Sequence, residues 1–259
     1  MRDPWFAQGE PRDLPGVRLF CLPYAGGSAA AYREWNDLTP PLLHVHPLEL
    51  PGRGARWGDP PVNGLPRLVD MVADGLSEHL DRPYALFGHS MGGLLAFELC
   101  RTLRARGLPP PEHLFVSGAA APELPRTRLP VHTAPHTDVL DELRFLGGTP
   151  PEILHDPELM ELLLPTLRAD FSVLETYRYR SLPPLDVPLT VFGGDADPVV
   201  PYDRLHRWQR HTCADARLLV LPGDHFFLHS ATVEVLAAIA DTLALEAPET
   251  VPGRRGHHS

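Results

Sequence analysis

The sequence predicts an α/β fold, with a mostly parallel central sheet, flanking helices and a helical insertion. Three observations carry this. Short apolar, strand-like runs alternate with helix-spaced stretches through the first half of the chain, as they do when strand–helix–strand units build a parallel sheet. The strand pattern lapses from residue 123 to about 184, and helical patterns take its place. From residue 189 strand and helix alternate again. A chain of 259 residues can bury one full core. We therefore expect a single domain over residues 1–245, with the insertion at about 123–184. The polar, Pro- and Gly-containing tail at 246–259 is expected to be disordered.

Taken in order, residues 17–22, 44–50, 84–88 and 113–117 read as the first strands. Between them, Leu65, Leu68, Val69, Val72, Leu76 and Leu80 fall on one stripe of a helix over 65–80. A second helix runs over 91–106. It closes on Arg101, Arg104 and Arg106 before Gly107 and the prolines 109–111, where cations offset the helix dipole, glycine takes the left-handed cap and proline stops propagation. The insertion holds helical segments around 138–146 and 157–179. Strands return at 189–193 and 217–221, each followed by a helix, over 202–211 and 231–245.

Composition narrows the function classes. Hydrophobic residues make up 43% and charged residues 22% of the chain, and no apolar run approaches the roughly 20 residues of a membrane span. The first fifteen residues lack the basic start and apolar stretch of a secretory signal. A soluble, cytoplasmic protein is expected. The net charge of −10 argues against a nucleic-acid partner, because phosphate binding needs a basic face. Cys21, Cys100 and Cys213 are scattered through apolar or helical segments without paired spacing, so buried free thiols are expected, with no metal and no cofactor.

The chemistry is concentrated in Gly88-His89-Ser90-Met91-Gly92, a Gly-x-Ser-x-Gly string between an expected strand and an expected helix. A serine on such a tight turn is held in a strained backbone with its hydroxyl above the sheet, and the helix N-terminus beside it can stabilise an oxyanion. A hydroxyl is a poor nucleophile at neutral pH and needs a base. His225, in the loop after the strand at 217–221, fits that role, with His229 the runner-up. The acid should follow the preceding strand, where Gly194-Asp195-Ala196-Asp197-Pro198 offers two carboxylates. Asp197 is favoured, because Pro198 stiffens the backbone behind it; Asp195 is the alternative, with turn N–H groups as its structural role. Oxyanion donors are expected from the backbone of Met91 and from Tyr24 or Ala25, in the glycine-containing loop after the first strand.

These residues resemble the stand-alone type II thioesterases of polyketide and non-ribosomal peptide synthetase systems, which have the α/β-hydrolase fold. The resemblance spans about residues 18–243. It rests on Leu22-Pro23-Tyr24-Ala25-Gly26-Gly27-Ser28, Leu50-Pro51-Gly52-Arg53-Gly54-Ala55-Arg56, Phe87-Gly88-His89-Ser90-Met91-Gly92-Gly93, Leu146-Gly147-Gly148-Thr149-Pro150, Leu167-Arg168-Ala169-Asp170-Phe171 and Gly223-Asp224-His225-Phe226-Phe227. Members commonly carry His or Phe in place of Tyr24, which leaves the backbone donor intact. The resemblance implies a triad of Ser90, Asp197 and His225, and a helical lid between the family's sixth and seventh strands. It implies hydrolysis of acyl groups from the phosphopantetheine arm of acyl or peptidyl carrier proteins, an editing role; a monomer is expected. Leu143, Phe145, Leu146, Phe171 and Tyr177 would then shape an acyl chamber or pack the lid internally. Arg53 and Arg56 read as carboxylate partners that steady their loop at least as well as they read as a phosphate clamp. A small-molecule carboxylester hydrolase with the same triad and a non-catalytic acyl-carrier binding protein are the competing functions, because fold does not fix substrate.

Overall fold

The computed structural model describes residues 3–7, 9–11 and 13–245; the expected tail at 246–259 lies outside the described residues. Six strands form one sheet: β1 (Val17–Leu22), β2 (Leu43–Pro47), β3 (Tyr84–His89), β4 (His113–Ser117), β5 (Leu189–Gly194) and β6 (Ala216–Leu221). Their order is β2-β1-β3-β4-β5-β6, and every pair is parallel. β1, β3 and β4 are mostly apolar and buried on both faces almost throughout, as strands covered by helices on both sides must be. β2 and β6 are the edges, and the residues of β6 are exposed or half-buried.

The helices are α1 (Trp35–Leu38), α2 (Leu65–Leu76), α3 (Met91–Ala105), α4 (His136–Leu146), α5 (Pro151–Leu154), α6 (Pro157–Glu175), α7 (Tyr202–His206), α8 (Phe227–Ser230) and α9 (Thr232–Thr242). Alternation along each strand splits the core between the two faces. Phe20, Leu86 and Val116 pack with α2 and α3, whereas Leu19, Phe87 and Phe115 pack with Trp35 and with Val235 and Ile239 of α9. The segment between β4 and β5 carries α4, α5 and α6 around a small core of its own, built from Val139, Leu143, Met160, Leu167 and Phe171. In this chain the insertion thus lies between the fourth and fifth described strands, where the resemblance counted the sixth and seventh.

Several boundaries differ from expectation. The helices expected over 65–80 and 202–211 each pass into a tighter 3-10 turn, after Leu76 and His206, and three further boundaries differ for a local reason. β2 covers 43–47 and not 44–50, because pairing with β1 stops at Cys21↔Pro47, one residue before β1 ends. α6 ends at Glu175 and not at 179: the Thr176 side chain donates to the Ser172 carbonyl at 2.6 Å, closing the last turn ahead of an extended run. The helix expected over 231–245 is α9 alone, preceded by the separate turn α8. Of the three thiols, Cys21 and Cys100 are buried as expected, but Cys213 is exposed. It follows the bridge between Leu185 and Thr212 at the sheet margin, and its Sγ lies 2.8 Å from Asp186 Oδ1.

Strand order places the site. The chain runs outward from β1 to β2 and then returns to add β3 on the other flank of β1, so the crevice beyond the C-terminal ends of β1 and β3 is the topological switch point where such sheets bind ligands. The register aligns Leu22 with Gly88. The loop at 23–28 and Ser90 therefore leave the sheet side by side.

Candidate active site

Ser90 sits at the junction of β3 and α3 with φ 53° and ψ −113°, a left-handed backbone that a residue with a Cβ adopts only under constraint. Two neighbouring contacts impose it. The Ser90 N–H donates to the Ser117 carbonyl at 2.8 Å, and the flanking glycines let three backbones meet. A Cβ on Gly88 would lie 2.0 Å from the Gly92 carbonyl oxygen, and one on Gly92 would lie 2.1 Å from that of Leu22. The Met91 N–H, first in α3, has no carbonyl one turn earlier to bond, so it is free for a ligand.

His225 follows β6 in the loop leading to α8 and is 1% exposed. Its Nε2 is 3.1 Å from Ser90 Oγ and its Nδ1 is 2.9 Å from Asp197 Oδ2. A carboxylate can only accept, so Nδ1 carries the proton and Nε2 is left to accept from the serine hydroxyl. Asp197 is positioned by its other oxygen, Oδ1, which accepts the Val199 and Val200 N–H groups at 2.7 and 3.1 Å. The two alternatives are occupied elsewhere. Asp195 Oδ1 accepts the Gly223 N–H at 2.9 Å, tying the loop after β5 to the loop after β6. His229 Nε2 faces the Tyr24 hydroxyl at 3.2 Å and its ring stacks on Phe226; burial lowers its pKa, while Asp224 opposes that shift.

A cavity of about 140 Å³ opens in front of these groups, lined by Ser90, His225, Ala25, Leu94, Leu174 and Tyr177 among others. Ala25 and Leu146 also line a second, more apolar cavity of about 330 Å³ on their other side, with Tyr24, Met160 and Leu167. Of the expected chamber residues, Leu146, Phe171 and Tyr177 line the first cavity and Leu143 the second. Phe145 lines neither. It is 39% exposed, with the Arg128 guanidinium 3.7 Å above its ring.

The Thioesterase domain family matches residues 17–243, which includes every one of these site residues. The chain belongs to the thioesterase domain family. The gramicidin S biosynthesis protein GrsT of Aneurinibacillus migulanus is 41% identical to this thioesterase over 241 residues, covering 93% of the chain and 94% of GrsT. Among solved structures, RedJ, a thioesterase from the prodiginine pathway of Streptomyces coelicolor, superposes with a TM-score of 0.83 at 39% identity and covers 90% of this chain and 95% of its own. BorB, the type II thioesterase of the borrelidin cluster, reaches 0.84 at 37% identity and covers 94% of this chain and 99% of its own. The thioesterase is accordingly of type II, the class associated with non-ribosomal peptide and polyketide biosynthesis.

Two groups in the thioesterase site escaped the sequence reading. His89 is fully buried behind Ser90, its Nδ1 2.9 Å from Ser117 Oγ, and its ring lies 5.2 Å from that of His225. Burial, reinforced by His225 and His229, holds its pKa well below the usual histidine range, so the His225 imidazole packs against a neutral neighbour. Arg126, Glu142 and Arg204 bring polar groups to the wall of the 140 Å³ cavity. Histidine type and spacing carried no signal for the first, and the second set meets only through tertiary packing. Among the described residues no helix is long and apolar enough to cross a membrane.

Proposed function

We propose that this thioesterase hydrolyses acyl thioesters held on the phosphopantetheine arms of carrier proteins, with Ser90 as nucleophile, His225 as general base and Asp197 as the group that fixes the imidazole. The observation that carries this reading is the placement of His225 between Asp197 Oδ2 and Ser90 Oγ, at 2.9 and 3.1 Å. The Ser90 hydroxyl proton passes to His225 Nε2 as Oγ attacks the thioester carbonyl carbon, and the carbonyl oxygen becomes the oxyanion. The Met91 N–H receives that oxyanion at the α3 N-terminus, together with Ala25, which lines the same cavity as Ser90; Tyr24 lines only the neighbouring cavity. The carbon–sulfur bond then breaks, and the departing sulfur takes the proton from His225. Water, deprotonated by His225, attacks the acyl-serine, and the acid leaves as Oγ recovers its proton.

The segment with α4, α5 and α6 serves as a lid over this chamber, since Leu146, Phe171 and Leu174 close its outer wall. Incubating an acetyl- or propionyl-loaded carrier protein with the enzyme and following the intact mass tests the reading. We expect deacylation by the wild type and loss of about 10⁴-fold or more in kcat for Ser90→Ala. An intact thioester alongside turnover of simple oxygen esters would assign the triad to a carboxylester hydrolase instead.

A further inference from the structure

The two sequence motifs that the triad leaves unused, around Arg53 and Asp170, meet in the folded chain. The Arg53 guanidinium grips the Asp170 carboxylate in two parallel bonds of 2.7 Å, with the side chains 6% and 2% exposed. A buried ion pair is weak evidence for stability, because desolvation offsets most of its attraction. What distinguishes this pair is what else it holds. Asp170 Oδ2 also accepts the Gly26 N–H at 2.7 Å, and Arg53 donates to the Gly27 carbonyl at 3.0 Å.

Residues 24–27 form a four-residue turn, closed by the Gly27 N–H on the Tyr24 carbonyl at 2.9 Å. Gly26, at the third position, has φ +75°, the mark of a type II turn. Two peptide planes of this turn and the one that follows it are thus fixed. The Tyr24–Ala25 plane is held through the Tyr24 carbonyl, the Ala25–Gly26 plane through Asp170, and the Gly27–Ser28 plane through Arg53. Because a trans peptide sets N–H opposite C=O, a Tyr24 carbonyl turned inward onto Gly27 sends the Ala25 N–H outward. Type I and type II turns differ by a flip of the middle peptide, and the bond to Asp170 is made by that peptide's N–H.

We infer that Asp170 and Arg53 are positioning residues, which preset the 24–27 turn so that the Ala25 N–H meets the oxyanion without reorganisation. This rests on the assignment of Ala25 as a donor in the proposed mechanism. Neither residue lines the cavity at Ser90, although Arg53 lines the neighbouring one with Tyr24 and Ala25; their link to the reacting atoms runs through the turn. Preorganised donors matter in the transition state more than in the ground state, so the effect belongs in kcat.

The test uses Asp170→Ala and Arg53→Lys, with Glu175→Gln as a control. Glu175 is a second anchor of α6, accepting the Val131 and His132 N–H groups, and it does not touch the 24–27 turn. Each protein is quantified by active-site titration with a fluorophosphonate, so unfolded material does not enter kcat. Steady-state deacylation is measured alongside inhibition by a trifluoromethyl ketone analogue of the acyl-pantetheine, which forms an oxyanion adduct. We expect Asp170→Ala to lower kcat and to weaken the analogue by a similar factor, about 10- to 100-fold, with KM within about twofold. Arg53→Lys should show the same pattern more mildly, and Glu175→Gln should lower the melting temperature alone. If Asp170→Ala does not fold, Arg53→Lys decides the matter by the same readouts. Unchanged kcat and analogue affinity in the titrated variants, with only a lower melting temperature, would overturn the inference. Wild-type deacylation by Ser90→Ala would instead overturn the mechanism on which it stands.

Discussion

Asp195 and Asp197 stand two residues apart, and their surroundings separate their roles. Asp197 turns one oxygen onto the backbone of Val199 and Val200 and the other onto His225, whereas Asp195 accepts from Gly223. Asp197→Asn should therefore leave the fold intact and lower kcat about 10⁴-fold, because an amide can present an N–H to His225 Nδ1 and stabilise the wrong tautomer. Asp195→Ala should spare kcat within about threefold and cost about 0.5–1 kcal/mol in denaturant unfolding, because the exposed Gly223 N–H loses its acceptor but can turn to water. That Ser90, His225 and Asp197 come together was legible because each follows a strand, where residue type and chain order carry the message. Asp170 was not legible as more than a motif, since its partners Gly26 and Arg53 lie 144 and 117 residues away. No local pattern encodes that distance. Cys213 misled for a different reason: it follows a helical run in sequence, but it falls at the margin of the sheet, where the thiol is left exposed.

At the scale of elements, strands and helices were legible where one periodicity ran uninterrupted, as in the stripe of α2, and their ends were blurred wherever side chains closed the last turn, as Thr176 does on α6. The junction of β3, α3 and β1 has the least tolerance. Gly88 and Gly92 let a strand, a helix and a neighbouring strand end approach to backbone contact, and neither can accept a side chain without moving main chain. Gly92→Ala should cost about 3 kcal/mol or more, because the new carbon meets the Leu22 carbonyl oxygen and no flexible side chain can yield. A thermal melt followed by circular dichroism checks this. A melt within 2 °C of wild type would show that the junction is looser than the geometry requires.

For the molecule as a whole, buried imidazoles set the response to acid. His46 and His113 are each pushed down to about 4 from an ordinary 6.5, chiefly by burial, with Arg18 and Arg217 as the next causes. His89 is lowered as well. A folded-state value below the unfolded one means that the unfolded chain takes up protons first. The stabilisation is complete above about pH 6.5 and is lost as pH falls towards 4. The melting temperature should therefore drop across that window. His46→Phe should flatten the drop, since the ring faces Phe6 and Phe20 and carries no charge to expel. An unaltered slope in that variant would assign the acid sensitivity to other groups.

The sheet order also sets when the enzyme becomes competent during its own synthesis. Parallel strands cannot be joined by hairpins, so each of the five pairings waits for a crossover to be completed. Chains leave the ribosome N-terminus first, and domains form as their segments emerge. β1 to β5 can pair with Ser90 in place while β6 is still unmade, because β6 adds at the edge, but the loop that carries Asp197 is pinned by Leu221 and Gly223 only once β6 has formed. His225 arrives behind that last strand. On the mechanism proposed above, a nascent thioesterase thus carries its hydroxyl with no group beside it to accept a proton, and the catalyst is born switched off until its final strand closes the sheet.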